Sequence, residues 1–448
     1  MFFDTEGNVI EEGVIWCNDA EGFLNLIARK RGKELEDCHL KIGGDTGKGF
    51  LKITASIFTE SEVQQNRKKR RTREEGIHGG SRFEETGQRM VLLLFLVKGV
   101  PETMENLDII FNMLNLESLE YTITGDFKFL MPCFGLLSCN AVHPCLYCNG
   151  ERRKGKWITK EDAVVELRTF GGIEANSSGW IEAGSKKSTM WTSKFESCVG
   201  RVTVWGKGDT PEKTVLDKCA PPSVHSLLAL NSVLRPHMEK IWEGDLWSFL
   251  REEINVIPHS YQGKDGAFEG PQCNKILNSV EHKLKPELLK AGEAGLLFYD
   301  FLMAFKAFKD TFFTTELAIN YREVVMNFKN KLSLLNNSLG VPITPKLHVM
   351  AEHVLEWVDK HGKALGQHSE QAVEAVHSTF DQLWGSFRVK DDQSEVYLKN
   401  TAKGNMSSAM CASSMYSRLC MKMSSFLFVR ACAVPRMLNL SCGIPFPV

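Results

Sequence analysis

No excess of either charge marks this sequence. Its 54 Lys and Arg residues almost balance 55 Asp and Glu residues, so the formal net charge is -1 at pH 7. Proteins dedicated to nucleic-acid binding are often strongly basic, and the overall charge gives no support to such a partner. Any argument for DNA binding must therefore rest on local clusters of charge.

Long apolar runs are absent too, and the first residues do not predict a secretory leader. The first residues, Met1 to Glu6, offer neither a basic n-region nor an uninterrupted apolar stretch. The most apolar run, Met90 to Val97, is far too short to cross a bilayer. We therefore expect an intracellular protein in a reducing compartment, without a membrane partner. In such a compartment, cysteines that lie close in sequence are more often metal ligands or catalytic groups than disulfide partners.

Residues 39–150 have the element order of a mixed α/β sheet, and residues 1–38 are interpreted as an N-terminal remnant of something larger. Runs of β-branched and aromatic residues are typical of strands, and the glycines at 43–49 suit a tight connection between the first two. The helix is indicated by apolar residues at three-to-four spacing. The expected strands are His39 to Ile42, Phe50 to Phe58, Met90 to Val97 and Tyr121 to Thr124, and the expected helix is Glu102 to Leu116.

Residues 151–340 are interpreted as an insertion between two parts of the core. The beginning, to about Thr214, is rich in Gly, Ser and Lys without a steady period, which indicates irregular structure. From Ser223 onwards apolar residues recur at helical spacing, so most of the remainder is predicted to be helical. Residues 341–390 return to the core. The segment 401–448 is dominated by Met, Ser and Cys, and we expect an atypical, weakly ordered tail.

Two aspartates that follow predicted strands are candidates for a metal-dependent catalytic site. Asp45 lies between glycines after the first strand, and Asp126 follows Gly125 after the last. Carboxylates at strand ends are held on rigid backbone and can converge on Mg²⁺, which prefers carboxylate oxygens, water and phosphate. Glu370 and Glu374 lie one helical turn apart and share a face. Ordinary Gly-Asp turns and a surface helix would produce the same patterns.

One Cys-x-x-Cys pair, Cys145 and Cys148, has the two-residue gap that lets both thiolates bind one tetrahedral zinc ion. The sequence has no second pair of this kind to complete a four-cysteine site. His348 and His353, about 200 positions later, are spaced as two ligands near one end of a helix. A redox disulfide is the competing interpretation, but no helix clearly begins at Cys145 as such a site requires.

Two segments are candidates for contact with nucleic acid. One is a basic cluster that either binds phosphates, acts as a nuclear import signal or is a solvated loop. Aromatic residues from Trp180 to Trp205 either stack on flipped bases or pack in the core. The cluster contains Arg67, Lys68, Lys69, Arg70 and Arg71.

Together these segments resemble the Transib transposases and their relative, the catalytic subunit of the V(D)J recombinase, called the recombination-activating protein. The shared order is two strands with Asp, a Cys-x-x-Cys, a long helical insertion, a His-x4-His and a Ser-Glu-rich helix. The most specific matches are Ile343 to Val354 and Ser369 to Glu374, and a looser one is Gly266 to Leu277. The resemblance covers about residues 39–385.

The resemblance implies a fold and two kinds of metal site. The fold would be RNase H-like, with a large, mostly helical insertion before the last catalytic helix. Asp45, Asp126 and Glu374, or Glu370 in its place, would bind Mg²⁺ or Mn²⁺. One structural Zn²⁺ would close a very long loop and add to folding stability. Its ligands would be Cys145, Cys148, His348 and His353.

The implied activity is that of a DDE transposase. Water would nick double-stranded DNA at an element end, and the freed 3′-hydroxyl would attack the opposite strand or a target, without a covalent protein–DNA intermediate. Such a protein works in the nucleus as a homodimer and without an organic cofactor. The N-terminal remnant and unusual tail favour an alternative, a domesticated and catalytically inactive relative that binds DNA or protein. A third interpretation is a ribonuclease H-type nuclease that acts on RNA–DNA hybrids.

Overall fold

A five-stranded mixed sheet confirms the expected α/β class. The computed structural model describes residues 1–47, 49–59, 91–158, 165–257, 259–261, 264–314 and 316–368. The first seven strands in this part are β1 (Phe2–Phe3), β2 (Val9–Ile10), β3 (Val14–Trp16), β4 (His39–Gly47), β5 (Phe50–Phe58), β6 (Val91–Lys98) and β7 (Thr122–Gly125). β1 pairs with β2, and the other five strands lie in the order β3-β6-β5-β4-β7.

The hairpin of β4 and β5 corrects one expectation from the sequence. β4 was predicted to end at Ile42, but it continues through the glycines to Gly47, which is in register with Phe50. Asp45 therefore lies inside a strand, opposite Lys52, and not in the connection after it. The physical reason for the longer β4 is its pairing with β5. β5 has nine residues, and the backbone N–H and C=O groups along its β4 edge are all satisfied when β4 is equally long.

By the density of their contacts the described residues form two units, residues 1–119 and residues 120–368. The first unit contains α1 (Ala20–Lys30) and α2 (Met104–Leu114) besides β1 to β6. Asp19 caps α1 and Thr103 caps α2, each by accepting a hydrogen bond from a backbone N–H of the first turn. The predicted helix near Glu102 to Leu116 and the buried strand near Met90 to Val97 are thus confirmed within two residues.

The second unit is mainly helical, and its early part is more regular than expected. Residues 151–214 were predicted to be irregular, yet they include a hairpin and two helices. The predicted helical run after Ser223 is broken into short α, 3-10 and π segments, with Pro236 in the π segment Leu234–Met238. The hairpins are β8 (Arg152–Arg153) with β9 (Lys156–Trp157) and β10 (His259–Tyr261) with β11 (Lys264–Ala267). The helices are α3 (Phe127–Cys133), α4 (Phe170–Glu182), α5 (Thr189–Lys194), α6 (Val215–Lys218), α7 (Ser223–Leu227), α8 (Asn231–Val233), α9 (Glu239–Ile241), α10 (Leu246–Glu252), α11 (Gly270–Asn278), α12 (Lys285–Lys290), α13 (Gly292–Phe312), α14 (Tyr321–Leu339), α15 (Pro345–Glu352) and α16 (Val354–His361).

Aromatic side chains form the contact between the two longest helices. Phe301, Phe305 and Phe308 recur at helical spacing on α13 and are fully buried. All three pack on Phe328 of α14, with ring centroids 4.8–5.9 Å apart. Although α13 is long, no helix in the described part of the chain combines the length and apolar character needed to cross a membrane.

A buried ion pair joins α6 to the loop before it. Lys218 and Asp209 each expose 1% of their side chains, and Lys218 Nζ lies 2.6 Å from Asp209 Oδ2. The Lys218 ammonium also lies 3.6 Å from the ring centroid of Tyr121. Burial lowers the pKa of Lys218 to about 8, and the Asp209 carboxylate opposes that shift. Because both charged groups are removed from water, each needs the opposite charge of its partner to offset the cost of burial.

We expect Asp209→Ala to lower the free energy of unfolding by about 3–5 kcal/mol, because Lys218 would remain buried without its counter-charge. Urea denaturation followed by circular dichroism measures this change. Asp310→Ala is the matched control. Asp209 pairs with Lys213 as well as Lys218, and Asp310 likewise pairs with two lysines, Lys306 and Lys309, but 45% of its side chain is exposed.

The control should cost no more than about 1 kcal/mol, as exposed ion pairs usually do. Adding Lys218→Met to Asp209→Ala should recover part of the loss, since no buried charge remains. Equal costs for the two aspartate variants would contradict the argument.

Candidate metal centres

The Cys-x-x-Cys segment is a loop clamped by a second chain segment. Residues 147–149 run alongside residues 166–168: the Arg168 backbone N–H donates to Tyr147 O at 2.8 Å and the Asn149 N–H donates to Glu166 O at 3.1 Å. The Arg168 side chain, which is buried, donates from Nε to Cys145 O at 3.1 Å. Cys145 and Cys148 are fully buried and reduced. This loop therefore holds both thiols in place without a helix.

The histidine pair lies near one end of a helix, as its spacing predicted, with His348 in α15 and His353 as the C-cap of that helix. α15 begins after Thr344, whose hydroxyl accepts from the Leu347 N–H, with Pro345 as its first residue. His348 lies within α15, whereas His353 has φ -110° and ψ -18° at the junction with α16. The break turns the two imidazoles toward a common point, which a continuous helix would not do for residues five apart.

The two pairs converge, and we call Cys145, Cys148, His348 and His353 the Cys₂His₂ group. Their four ligand atoms all lie within 4.8 Å of one another. Cys148 Sγ is 3.4 Å from His348 Nε2, and the two imidazole centroids are 5.2 Å apart. Ligand atoms around one tetrahedral zinc ion lie about 3.3–3.8 Å apart, given usual Zn–S and Zn–N bond lengths. The group therefore approaches the size of a tetrahedral metal site.

Three side chains of the group have shifted pKa values, those of Cys145, Cys148 and His353. Burial opposes ionisation of Cys145, yet hydrogen bonds from Cys148 and from nearby backbone N–H groups hold its pKa below the ordinary value. The hydrogen bond with Cys145, together with burial, raises the pKa of Cys148 to about 11. Although burial opposes protonation of His353, interactions with Cys148 and Glu356 raise its pKa to about 9. One divalent cation would replace these shared protons, as metal binding at thiolates does.

His353 provides the test of whether a metal fits. Its side chain is 3% exposed, and within the described part of the chain neither ring nitrogen has a hydrogen-bond partner of normal geometry. A buried polar atom without a partner costs about 1–3 kcal/mol. A metal ion bound to one nitrogen would remove that cost. The donor set of two sulfurs and two nitrogens is the one that structural zinc prefers.

Trp157 contacts the group and was not identified from the sequence. Its ring stacks on His348 with centroids 3.7 Å apart and an interplanar angle of 11°, and its Nε1 donates to Ile343 O at 2.8 Å. The hairpin β8–β9 thus links the cysteine loop to the start of α15. Gly150 permits this approach, because a Cβ there would lie 3.3 Å from Cys148 Sγ and 3.2 Å from the Trp157 ring.

The two aspartates that were predicted to bind a catalytic metal lie in different units. Asp45 lies within β4, opposite Lys52 of β5. Asp126 is the N-cap of α3 and accepts a hydrogen bond from the Phe129 N–H at 2.7 Å. The N-cap position holds the Asp126 carboxylate at the start of that helix.

Several candidate residues lie outside the part of the chain that the structure describes. They include both candidates for the third carboxylate and the whole basic cluster. These residues are Glu370, Glu374, Arg67, Lys68, Lys69, Arg70 and Arg71.

Comparison with known proteins adds no relatives. No protein-family model matches the chain, and a search of curated proteins finds no match. The function is therefore inferred from the Cys₂His₂ group and from the motifs in the sequence.

We expect about one equivalent of tightly bound transition metal per chain, with zinc as the candidate, in protein purified under reducing conditions. Cys148→Ser and His353→Ala should each abolish it, because three remaining donors bind far more weakly than four. Elemental analysis of the purified protein measures the metal content. Cobalt substitution gives a second readout, since thiolate coordination of cobalt produces characteristic absorption bands.

Cys198→Ser is the matched control. Cys198 is also fully buried and accepts a hydrogen bond from Arg168, at 3.4 Å, but it lies outside the Cys₂His₂ group. The control should keep its metal. Metal loss in only one of the two ligand variants would contradict a shared site.

Proposed function

We propose that this chain is the catalytic core of a cut-and-paste DNA transposase, related to the Transib transposases and the catalytic subunit of the V(D)J recombinase. The observation that carries the proposal is the convergence of the Cys₂His₂ group. The resemblance requires two pairs of ligands about 200 residues apart to share one ion, whereas an unrelated α/β protein has no reason to bring them together. The proposal assigns an RNase H-like topology to the sheet and structural zinc to the group.

The proposal includes a second kind of metal ligand. Asp45 and Asp126 are the two carboxylates that the resemblance assigns to catalysis, and oxygen donors of this kind suit Mg²⁺ or Mn²⁺. When bound, such ions activate the attacking oxygen and stabilise the leaving oxygen of a phosphoryl transfer. Glu374, or Glu370 in its place, is proposed as the third carboxylate.

The chain's own contribution is to hold the carboxylates in fixed positions. The hydrogen bond from the Phe129 N–H orients the Asp126 carboxylate. Asp45 lies on a strand whose nine residues are all in register with β5, so its backbone has little freedom. Water and DNA hydroxyls are the attacking groups in the proposed reaction, so it requires no nucleophilic side chain.

The proposed reaction has two phosphoryl transfers. First, the oxygen of water forms a bond to phosphorus at an element end, and the bond from that phosphorus to the 3′ oxygen breaks. The strand then ends in a 3′-hydroxyl and a 5′-phosphate. Second, the 3′-hydroxyl oxygen attacks phosphorus in the opposite strand or in target DNA and displaces another 3′ oxygen. We further propose that a homodimer performs these steps in the nucleus, because two element ends must be paired.

Nicking of a supercoiled plasmid that carries candidate terminal repeats, in Mn²⁺, tests this function. We expect Asp126→Asn to reduce the nicking rate at least about 100-fold, because a metal-binding carboxylate contributes several kcal/mol to the transition state. Asparagine retains the N-cap, so α3 should stay intact. The matched control is Asp19→Asn, which changes the N-cap of α1 in the same way and should nick at the wild-type rate.

Equal nicking by the wild type and Asp126→Asn would refute the catalytic proposal. A wild-type protein that binds DNA without nicking it would be the inactive, domesticated relative. An RNA–DNA hybrid of the same sequence, used as a second substrate, distinguishes a transposase from a ribonuclease H-type nuclease. Preference for the hybrid would indicate the nuclease.

A further inference from the structure

An exposed basic surface lies on the turn between α4 and α5. Residues 184–190 are all exposed, and the segment from Glu182 to Lys194 contains three lysines but only one acidic residue, Glu182. Apolar side chains are exposed beside them, with Ile181 at 58% and Met190 at 72%. The lysine–tryptophan surface is defined by Lys186, Lys187, Trp191 and Lys194.

Two of its lysines lie beside the same aromatic ring. The centroid of Trp191 is 4.3 Å from Lys186 Nζ and 5.3 Å from Lys194 Nζ. Each ammonium gains from the ring's negative face, but the two positive charges repel one another. Among the described residues none of the three lysines forms an ion pair with a carboxylate. The arrangement thus holds positive charge in place without neutralising it.

The surface is attached firmly to the loop that carries the cysteines. Trp180 Nε1 donates to Lys186 O at 3.0 Å, which fixes the turn. Phe195 packs on α4 at Gly179, where a Cβ would lie 2.9 Å from its ring. On the other side, Ser193 Oγ is 3.4 Å from His143 Nε2, and His143 Nδ1 is 2.7 Å from Asn149 O.

A DNA backbone is the occupant whose chemistry fits this surface. Neighbouring phosphates neutralise ammonium groups that otherwise repel each other, and binding releases the counterions of the DNA. The deoxyribose between phosphates offers apolar contact to side chains such as Met190. The Trp191 ring already contacts two lysines, so it is placed to orient charge rather than to stack on a flipped base. These contacts carry no information on base sequence.

We propose that the lysine–tryptophan surface binds the phosphate backbone of double-stranded DNA. The inference rests on the proposed function and deepens it, because it assigns a substrate contact to described residues of the unit that holds the Cys₂His₂ group. DNA bound here is held by the scaffold that the metal stabilises. The contact is independent of base sequence, as is usual for the part of an interface that sets position and orientation.

Fluorescence anisotropy of the full chain with a labelled 30-base-pair duplex of random sequence, titrated at several salt concentrations, tests the proposal. The double variant Lys186→Glu/Lys194→Glu should bind at least about tenfold more weakly, and the slope of log affinity against log salt should fall by about 2, one for each lost phosphate contact. Lys186→Arg/Lys194→Arg should bind like the wild type, since both charges remain.

The matched control is Lys207→Glu/Lys240→Glu, which changes two exposed lysines outside the surface and gives the same net charge. It should retain the wild-type slope, and metal content should be normal in all variants. An unchanged slope in Lys186→Glu/Lys194→Glu, with the wild type bound to DNA, would overturn this inference alone. Absence of DNA binding by the wild type would overturn it together with the proposed function. Binding to anionic phospholipid vesicles that is lost in that variant while its DNA slope is unchanged would assign the surface to membranes instead.

Discussion

The second unit depends on one closure, in which Cys148 and His348, 200 residues apart, come within 3.4 Å. Closing a flexible loop of that length costs about 5 kcal/mol in chain entropy. The proposed structural zinc ion would offset this cost, since zinc bound by four such ligands contributes about 10–16 kcal/mol in small zinc domains. Burial makes unpaired thiols and imidazoles costly, so the group depends on contacts such as the one between Cys148 and His348.

Secondary contacts around this closure hold the side chains of the Cys₂His₂ group in place. Trp157 stacks on His348 and also donates to the backbone before α15, so it joins the two halves of the site. Arg168 donates to Cys145 O and Cys198 Sγ, which ties the cysteine loop to the following segment. His143 then connects this loop to the lysine–tryptophan surface, because its ring contacts Asn149 O on one side and Ser193 Oγ on the other. The Cys₂His₂ group and the proposed DNA contact are therefore parts of one packed scaffold.

Local patterns in the sequence predicted the ligand types well and their surroundings poorly. Cys145 and Cys148 were identified by spacing alone, and the Cys₂His₂ group contains both. The position of His348 and His353 near one end of a helix was also predicted correctly, but the break at His353 is a matter of backbone geometry that spacing does not encode. Asp45 was expected beyond the end of β4, because the glycines suggested a turn.

The amino-acid order alone determined elements with a clear apolar period, since the spacing on α2 and β6 decides locally between helix and strand. It also determined the chemical identity of the ligands, because only sulfur, nitrogen and carboxylate side chains can serve. Tertiary packing decided which of them meet. The distance between residues such as Cys148 and His348 depends on every helix in the insertion between them, and no local pattern carries that information. The stacking of Trp157 and the pairing of Lys218 with Asp209 have the same origin, in contacts between segments that are distant in the chain.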